Sequence, residues 1–281
     1  MIALFRRNLK IYFSNIIGVI MSCLGALISF FIYIGFLQNN LKSNWPNLPH
    51  VTKMLDLWMI AGIVAVSGIT TAFQALGQQV SDRETRADAD FKLTGISQFA
   101  QNFAYILSGT VVSFFMQIIT FIVMALYFSL VDHVTIPQKA LLPGLLFILL
   151  GALGATLLDE VIAFFMHSST TFSRFSAVLG AAAGFAVATY LPYGILVSGA
   201  QNLVKLVPSS YEAAALRGFL LKQTLATFPT NVKRHLINYL GIQYKINNNR
   251  LNNMFVLLLM IAILILVIIL LSFITDRRRN K

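Results

Sequence analysis

The sequence predicts an all-α integral membrane protein with six transmembrane helices, and two features of composition lead to this. Hydrophobic residues make up 57% of the 281 residues and charged residues only 11%, whereas a soluble domain has about 25% charged residues. Long apolar runs recur along the whole chain, and the mean hydropathy is +0.76. We therefore expect one transmembrane domain over residues 1–281.

The apolar runs predict where each span lies, because a membrane-crossing helix needs about 20 mostly apolar residues. The predicted spans are 16–37, 57–79, 103–130, 141–165, 175–198 and 254–275. The first run is too long for a signal peptide and lacks a small-residue cleavage site, so it is expected to be a retained span.

Residues 1–15 are predicted to form an amphipathic helix at the membrane interface. Apolar side chains recur there at helical spacing, and the basic side chains lie on the other faces. A loose basic tail is the alternative. The apolar positions are Ile2, Phe5, Leu9 and Phe13, and the basic ones are Arg6, Arg7 and Lys10.

The basic residues predict the orientation of the chain in the membrane. The net charge is +11, but the bases lie in caps and loops without interleaved aromatic residues, which argues against nucleic-acid binding. The short segments on the side of the termini hold three bases at the N-terminus, three in 81–97, one in 167–174 and four at the C-terminus, against three in the opposite short loops. The positive-inside rule therefore places both termini and residues 81–97 in the cytosol.

Residues 81–97 are a charged segment between two apolar spans. Ser81 and Glu84 match a capping box, Gly95 is a natural helix stop, and the charges pair at i,i+4 spacing. We predict a short cytosolic helix, with a solvated loop as the alternative. The expected pairs are Asp82 with Arg86, Arg86 with Asp90, and Asp88 with Lys92.

The span over 175–198 carries a stripe of small residues at four-residue spacing: Ser176, Gly180, Gly184 and Ala188. Such a stripe lets two helices approach closely. It is either a seam between protomers or beside a transport pathway, or an ordinary contact within the chain. Pro192 and Gly194 are expected to bend or break the helix near its outer end.

Asp159 and Glu160 lie inside the apolar run of the span over 141–165. Ionisable residues within a membrane are costly and are often functional, so they are candidates for a proton or cation relay. The alternative is a solvated helix end, or one paired with Arg174.

The segment 199–253 is predicted to form external helices. Ser209 and Glu212 match a second capping box, which would begin a helix running to about Phe228. A further helix is expected from 229 to a stop at Gly241, with a turn at 247–249. These helices form either an external gate, with Tyr211, Glu212 and Arg217 as its candidate residues, or a layer resting on the outer leaflet.

The single cysteine, Cys23, allows neither an intrachain disulfide nor a cysteine metal site, and no metal ligands are predicted. The phosphate-loop pattern G-x-x-x-x-G-K-[ST] does not occur, so the chain is not expected to be an enzyme with its own nucleotide site.

The order of these elements resembles the membrane subunit (permease) of type-2 ATP-binding-cassette (ABC) exporters. The residues that carry the likeness are Glu84-Thr-Arg, 90–97, Ser198-Gly199 and 208–217, although 219–253 is longer and more basic than the family pattern. The resemblance implies that 81–97 is a coupling helix seated on an ABC ATPase subunit. Glu84, Arg86 and Asp90 would be its contacts and Phe91 an apolar plug.

The resemblance further implies a permease that works as a homo- or heterodimer with two ATPase chains, which bind ATP and magnesium. It would lie in the cell membrane of a bacterium and export a drug, an antimicrobial peptide or a lipid-like molecule. A polysaccharide or lipid-linked glycan is the alternative cargo. Two other classes stay open: an ion-coupled secondary transporter or channel that uses Asp159 and Glu160, and a membrane scaffold without transport.

Overall fold

The computed structural model describes residues 1–46, 48–246 and 249–279, almost all of them helical. The helices in chain order are α1 (Ile2–Ser14), α2 (Ile16–Ser22), α3 (Leu24–Ile32), α4 (Gln38–Ser43), α5 (Val51–Glu84), α6 (Ala87–Leu93), α7 (Gln98–Val131), α8 (Leu141–Ala163), α9 (Ser169–Ala186), α10 (Ser198–Lys205), α11 (Pro208–Leu220), α12 (Lys222–Ala226), α13 (Thr230–Tyr239) and α14 (Asn253–Arg279). A short hairpin pairs β1 (Lys245–Ile246) with β2 (Asn249–Arg250).

Five helical stretches in the described part of the chain are long and apolar enough to cross a membrane: Leu24–Ser43, Val51–Glu84, Gln98–Val131, Gln138–Ala163 and Asn253–Phe273. The protein is accordingly an all-α, membrane-embedded chain. Six spans stay a prediction, because α9 has only 18 residues. Its first half contains Arg174 and several serines and threonines.

Helix α5 is the centre of the bundle. Its 34 residues extend over about 50 Å at 1.5 Å per residue, and they pack against α3, α7, α8, α9 and α11. From Val51 to Phe73 every side chain but two is buried. A helix covered on all sides is apolar on most faces, which explains why this run is mostly hydrophobic. Its buried carboxylate, Asp56, accepts hydrogen bonds from Tyr33 and Gln38.

The first predicted span is not one regular helix. Asn15 ends α1 and caps α2, because its side-chain oxygen accepts a hydrogen bond from the Gly18 amide at 2.9 Å. Helices α2 and α3 then follow one another, and a π-helical turn over Tyr33–Leu37 joins α3 to α4. The spans predicted at 57–79, 103–130, 141–165 and 254–275 fall within or close to α5, α7, α8 and α14.

The bounds predicted for the fifth span are wrong. Helix α9 begins at Ser169 and ends at Ala186, and Ala188 has a φ of 49°. The helix therefore ends before Pro192 and Gly194, the residues expected to break it. Tyr190 folds back onto Gly184, where its ring occupies the place of a β-carbon.

The segment 199–253 is mainly helical, as predicted, and its helix α11 lies within the bundle. Helix α11 is almost entirely buried and packs against α5, α8 and α14. An external gate, or a layer on the outer leaflet, stays a prediction. The capping box predicted for α11 is wrong: this helix begins at Pro208, with Val207 as the N-cap and no side-chain cap. Gly241, with a φ of 64°, does follow the end of α13 as predicted. The turn predicted at 247–249 lies mostly outside the described residues.

Candidate functional site at the α6 end of the bundle

Residues 81–97 do not form one helix. Ser81 lies inside α5, where its carbonyl accepts a hydrogen bond from the Thr85 amide at 3.0 Å, so the predicted capping box is wrong. The chain turns at Arg86, which has a φ of 65°, and α6 has only seven residues. The helix stop at Gly95 is confirmed: its φ is 81° and the Ile96 amide bonds the Phe91 carbonyl at 3.2 Å, as in a Schellman motif.

Asp82 joins three helices in an arrangement that we call the Asp82 junction. Its carboxylate accepts two hydrogen bonds of 2.7 Å from the Arg7 guanidinium on α1. It accepts a third of 2.5 Å from the Tyr105 hydroxyl on α7 and a fourth of 2.8 Å from Gln78. The guanidinium also lies 5.3 Å from the centre of the Phe91 ring on α6. The same carboxylate therefore ties α1, α5 and α7 together, and Arg7 extends the contact to α6.

Sequence reasoning missed this junction, because it paired Asp82 with Arg86 along one helix. The hydrogen bonds that Arg7 donates to the Asp82 carboxylate raise the pKa of Arg7. A polar signal did exist: Asn8 and Arg7 sit on the helix face that packs on α7, and Asn8 is buried.

The next two residues of α5 cap two other helices. The Arg83 guanidinium donates to the carbonyls of Ala163 and Phe164, both at 3.1 Å, at the carboxyl end of α8. The Glu84 carboxylate accepts a hydrogen bond of 3.1 Å from the Ser169 amide at the start of α9. A cation at a helix C-terminus and an anion at an N-terminus are both favoured by the helix dipole. Glu84, predicted as an ATPase contact, thus also holds the α8–α9 turn.

The outward face of α6 differs from the predicted one. Glu84, Arg86 and Asp90 are exposed, as a docking role requires. Phe91 is half-buried against Arg7 and a cluster formed by the end of α5 and the start of α9, and its role as a plug stays a prediction. Leu93, with 87% of its surface exposed, is the large apolar side chain that protrudes.

The four stripe residues of α9 and the following turn all make contacts within the chain. Ser176 donates to Gln74 on α5 at 3.3 Å. Gly180 lies against α3 at Gly25, Gly184 lies against Tyr190, and Ala188 is buried in the left-handed turn. A seam between protomers stays a prediction.

Asp159 and Glu160 are both buried, with 1% and 0% of their surfaces exposed. The Gln79 amide donates to Glu160 at 2.7 Å, and Oδ2 of Asp159 has no hydrogen-bond partner among the described residues. The alternative of a solvated or Arg174-paired helix end is therefore wrong, since Arg174 is exposed. The relay stays a prediction.

The three residues predicted for an external gate are buried. Tyr211 donates to the Lys205 carbonyl at 2.9 Å. The Glu212 carboxyl lies against Gly151 on α8, and neither of its oxygens has a hydrogen-bond partner among the described residues. Burial raises the pKa of Glu212 well above its ordinary value, which favours its neutral form.

Arg217 caps two helix ends from inside the protein. It donates to the Val187 and Ala188 carbonyls at 3.2 and 3.0 Å, where α9 ends, and to the Leu240 carbonyl at 3.4 Å, where α13 ends. Its guanidinium lies 5.0 Å from the centre of the Trp58 ring. Burial lowers the pKa of Arg217 to about 10, so it stays charged at neutral pH. Its role is to fix the broken end of α9.

No group of three or more metal-ligating side chains was found within residues 1–46, 48–246 and 249–279. Comparisons of the chain with protein-family models, with curated proteins and with solved structures gave no match.

Proposed function

We propose that this protein is the membrane-spanning subunit of an ATP-driven ABC exporter and that α6 is the surface on which its ATPase subunit docks. Two permease chains would work with two ATPase chains, which bind ATP and magnesium. The complex would lie in the cell membrane with both termini in the cytosol. Its cargo would be a hydrophobic or amphipathic molecule, or a polysaccharide or lipid-linked glycan.

The observation that carries the proposal is the exposed face of α6. This short helix lies between two long spans and exposes Asp90 and Leu93, and the chain that leads into it exposes Glu84 and Arg86. Protein–protein interfaces have an apolar centre and a polar rim, and Leu93 and these charges would supply the two parts. The Asp82 junction supports the same interpretation, because it connects α6 to the spans that a docking subunit would have to move.

The first experiment tests whether an ATPase subunit exists. The tagged chain is purified from its native host in a mild detergent, and co-purifying proteins are identified by mass spectrometry. We expect a nucleotide-binding subunit in an amount equal to that of the permease. Its absence, together with export that persists after ATP depletion, would contradict the proposal.

The second experiment tests the docking face. Leu93→Asn should lower the amount of co-purified ATPase at least several-fold, because it removes the exposed apolar contact. Leu206→Asn is the matched control, since Leu206 is also exposed, at 67%, but lies at the end of α10. Equal retention of the ATPase by both variants would remove α6 from the interface.

A second candidate function is ion-coupled transport, and the buried carboxyl groups of α8 favour it. Asp159 and Glu160 lie within a span, and one oxygen of Asp159 has no hydrogen-bond partner among the described residues. Transport that follows an imposed proton gradient, and is lost in Asp159→Asn and Glu160→Gln, would support this function. Transport by these variants at the native rate would exclude a relay through them.

A further inference from the structure

A cavity of about 280 Å³ lies at the α6 end of the bundle, between α1, the start of α2, α5 and α9. On α5 it is lined by Gln74, Gln78 and Ser81, which recur at the spacing of one helix face. These three residues are half-buried, whereas the preceding three turns of α5 are almost fully covered. The polar stripe of α5 therefore coincides with the place where the helix becomes accessible.

The other walls combine polar side chains with two large apolar ones, Ile11 of α1 and Phe172 of α9. Helix α1 and its end contribute Asn8, Tyr12 and Asn15, and α9 contributes Ser169 and Ser173. Every described residue that lines the cavity is uncharged. The nearby Arg7 guanidinium is bound to Asp82, and the Arg83 guanidinium is bound to the carboxyl end of α8.

Amide and hydroxyl groups both donate and accept hydrogen bonds, which is also true of the hydroxyl groups of a sugar. Some of these groups already bond within the chain, as Tyr12 does with Ser22 and Ser173 with the Ser169 carbonyl. A side-chain amide has two N–H donors and an oxygen with two lone pairs, so the Gln74, Gln78 and Asn15 amides keep further groups that the hydroxyls of a ligand can bond. A phosphate or carboxylate would find no cation in the lining. The volume is slightly below the range of about 300–1,000 Å³ of sites for drug-sized ligands, which suits a compact headgroup.

The rim of the cavity borders an apolar surface. Asn15 is followed at once by Ile16 and Ile17, which are 70% and 72% exposed. Further exposed apolar side chains continue along α2, namely Ile20 and Met21. A ligand with a polar head in the cavity could therefore extend an acyl chain along α2 into the membrane.

We propose that this cavity binds the neutral, hydroxyl-rich headgroup of a glycolipid, held by the amide and hydroxyl groups of α1, α5 and α9. This inference rests on the proposed function in one respect: in an exporter, the site would receive the lipid from the leaflet next to α6. Binding itself requires no ATPase subunit, and it is tested without one.

The purified chain is placed in nanodiscs of phosphatidylglycerol that contain diglucosyl diacylglycerol and diacylglycerol at about 5 mol% each. The lipid retained after transfer to a mild detergent is counted by native mass spectrometry. We expect diglucosyl diacylglycerol to be enriched over diacylglycerol and phosphatidylglycerol. A free disaccharide in excess should compete weakly if the acyl chains contribute to binding, and fully if the headgroup alone is recognised.

Gln74→Leu should lower retention of the glycolipid about three- to ten-fold, the loss expected for one hydrogen-bonding group. Gln223→Leu is the matched control, because Gln223 is exposed on α12 and does not line the cavity. Ser173→Ala provides a second, smaller change that leaves the fold of α9 intact. Equal retention of all three lipids, or equal retention by Gln74→Leu and Gln223→Leu, would overturn the proposal whether or not an ATPase subunit co-purifies.

Discussion

Replacing Arg7 by methionine tests the Asp82 junction most directly, because it removes two hydrogen bonds of 2.7 Å and keeps much of the apolar side-chain length. Asp82 is the buried partner, with 3% of its side chain exposed, while Arg7 is 34% exposed. Hydrogen bonds to charged groups contribute about 1.5–3 kcal/mol each, but a partner with this exposure is screened by solvent. Tyr105 and Gln78 also continue to donate to Asp82. We therefore expect Arg7→Met to lower the free energy of unfolding by about 2 kcal/mol.

The magnitude is measured as a shift of the melting temperature in detergent, followed by the loss of monodisperse protein on size exclusion. A loss of about 2 kcal/mol corresponds to roughly 4–8 °C. Arg6→Met is the matched control, because Arg6 is exposed on the same helix, and it should change little.

A double-mutant cycle of Arg7→Met with Asp82→Asn separates the pair from its surroundings. We expect the two losses to be non-additive by about 1–2 kcal/mol, as for residues in direct contact. Additive losses, or an Arg7→Met variant as stable as Arg6→Met, would refute the idea that this ion pair holds α1 on the bundle.

Three further predictions concern the rest of the bundle. Arg217→Met should lower the melting temperature by roughly 5–10 °C, because buried carbonyls at two helix ends lose a donor at about 1–3 kcal/mol each. Arg234→Met, at an exposed position of α13, should leave the melting temperature unchanged. Equal effects of the two substitutions would contradict the capping role. Gly25→Ala should destabilise the protein by about 1–3 kcal/mol, because the new β-carbon would lie 2.9 Å from a backbone carbonyl oxygen of α9. Gly35→Ala is the control, since its β-carbon would meet nothing within 4 Å. Equal stability of the two variants would refute the close approach of α3 and α9. Glu212→Gln should gain stability relative to the native chain as the pH rises from 5 to 8. The pKa of Glu212 is raised in the folded state, so the native protein loses stability as the pH rises above the pKa that this carboxyl has in the unfolded chain. A stability difference that is constant with pH would show that Glu212 does not titrate in this way.

The sequence was sufficient for the long apolar helices and for turns with a local cause. The stops at Gly95 and Gly241 were predicted correctly, since each needs a residue that tolerates positive φ, and that requirement lies within a few residues of chain. The two predicted capping boxes were wrong, because the spacing of a serine and a glutamate does not by itself show where a helix begins. A serine followed three residues later by glutamate fits a cap, but whether a helix has already begun at Ser81 depends on what precedes it.

The remaining features depend on contacts between distant residues. Arg7 and Asp82 are 75 positions apart, and neither position by itself indicates that they pair. The end of α9 is likewise set by Arg217, whose N–H groups donate hydrogen bonds to the last carbonyls of the helix, which have no partner within it. The burial of α11 had a sequence signal in its alanine-rich middle, 213–215, because small side chains permit close packing. The polar residues around these alanines suggested the surface instead.

The Asp82 junction and the cavity share residues, and this connects the two proposals physically. Gln78 lines the cavity and donates to Asp82, while Asn8 lines the cavity and follows Arg7 on α1. Arg7 in turn packs on Phe91 of α6. A displacement of α6 by a docking subunit would therefore act on the Arg7–Asp82 pair and, through α1 and Gln78, on two walls of the cavity. Chains of packed side chains and hydrogen bonds can carry coupling between sites. The same Arg7→Met variant that loosens α1 should therefore also weaken the effect of the ATPase on glycolipid retention. If retention responded to the ATPase equally in Arg7→Met and in Arg6→Met, the two sites would be connected by another route.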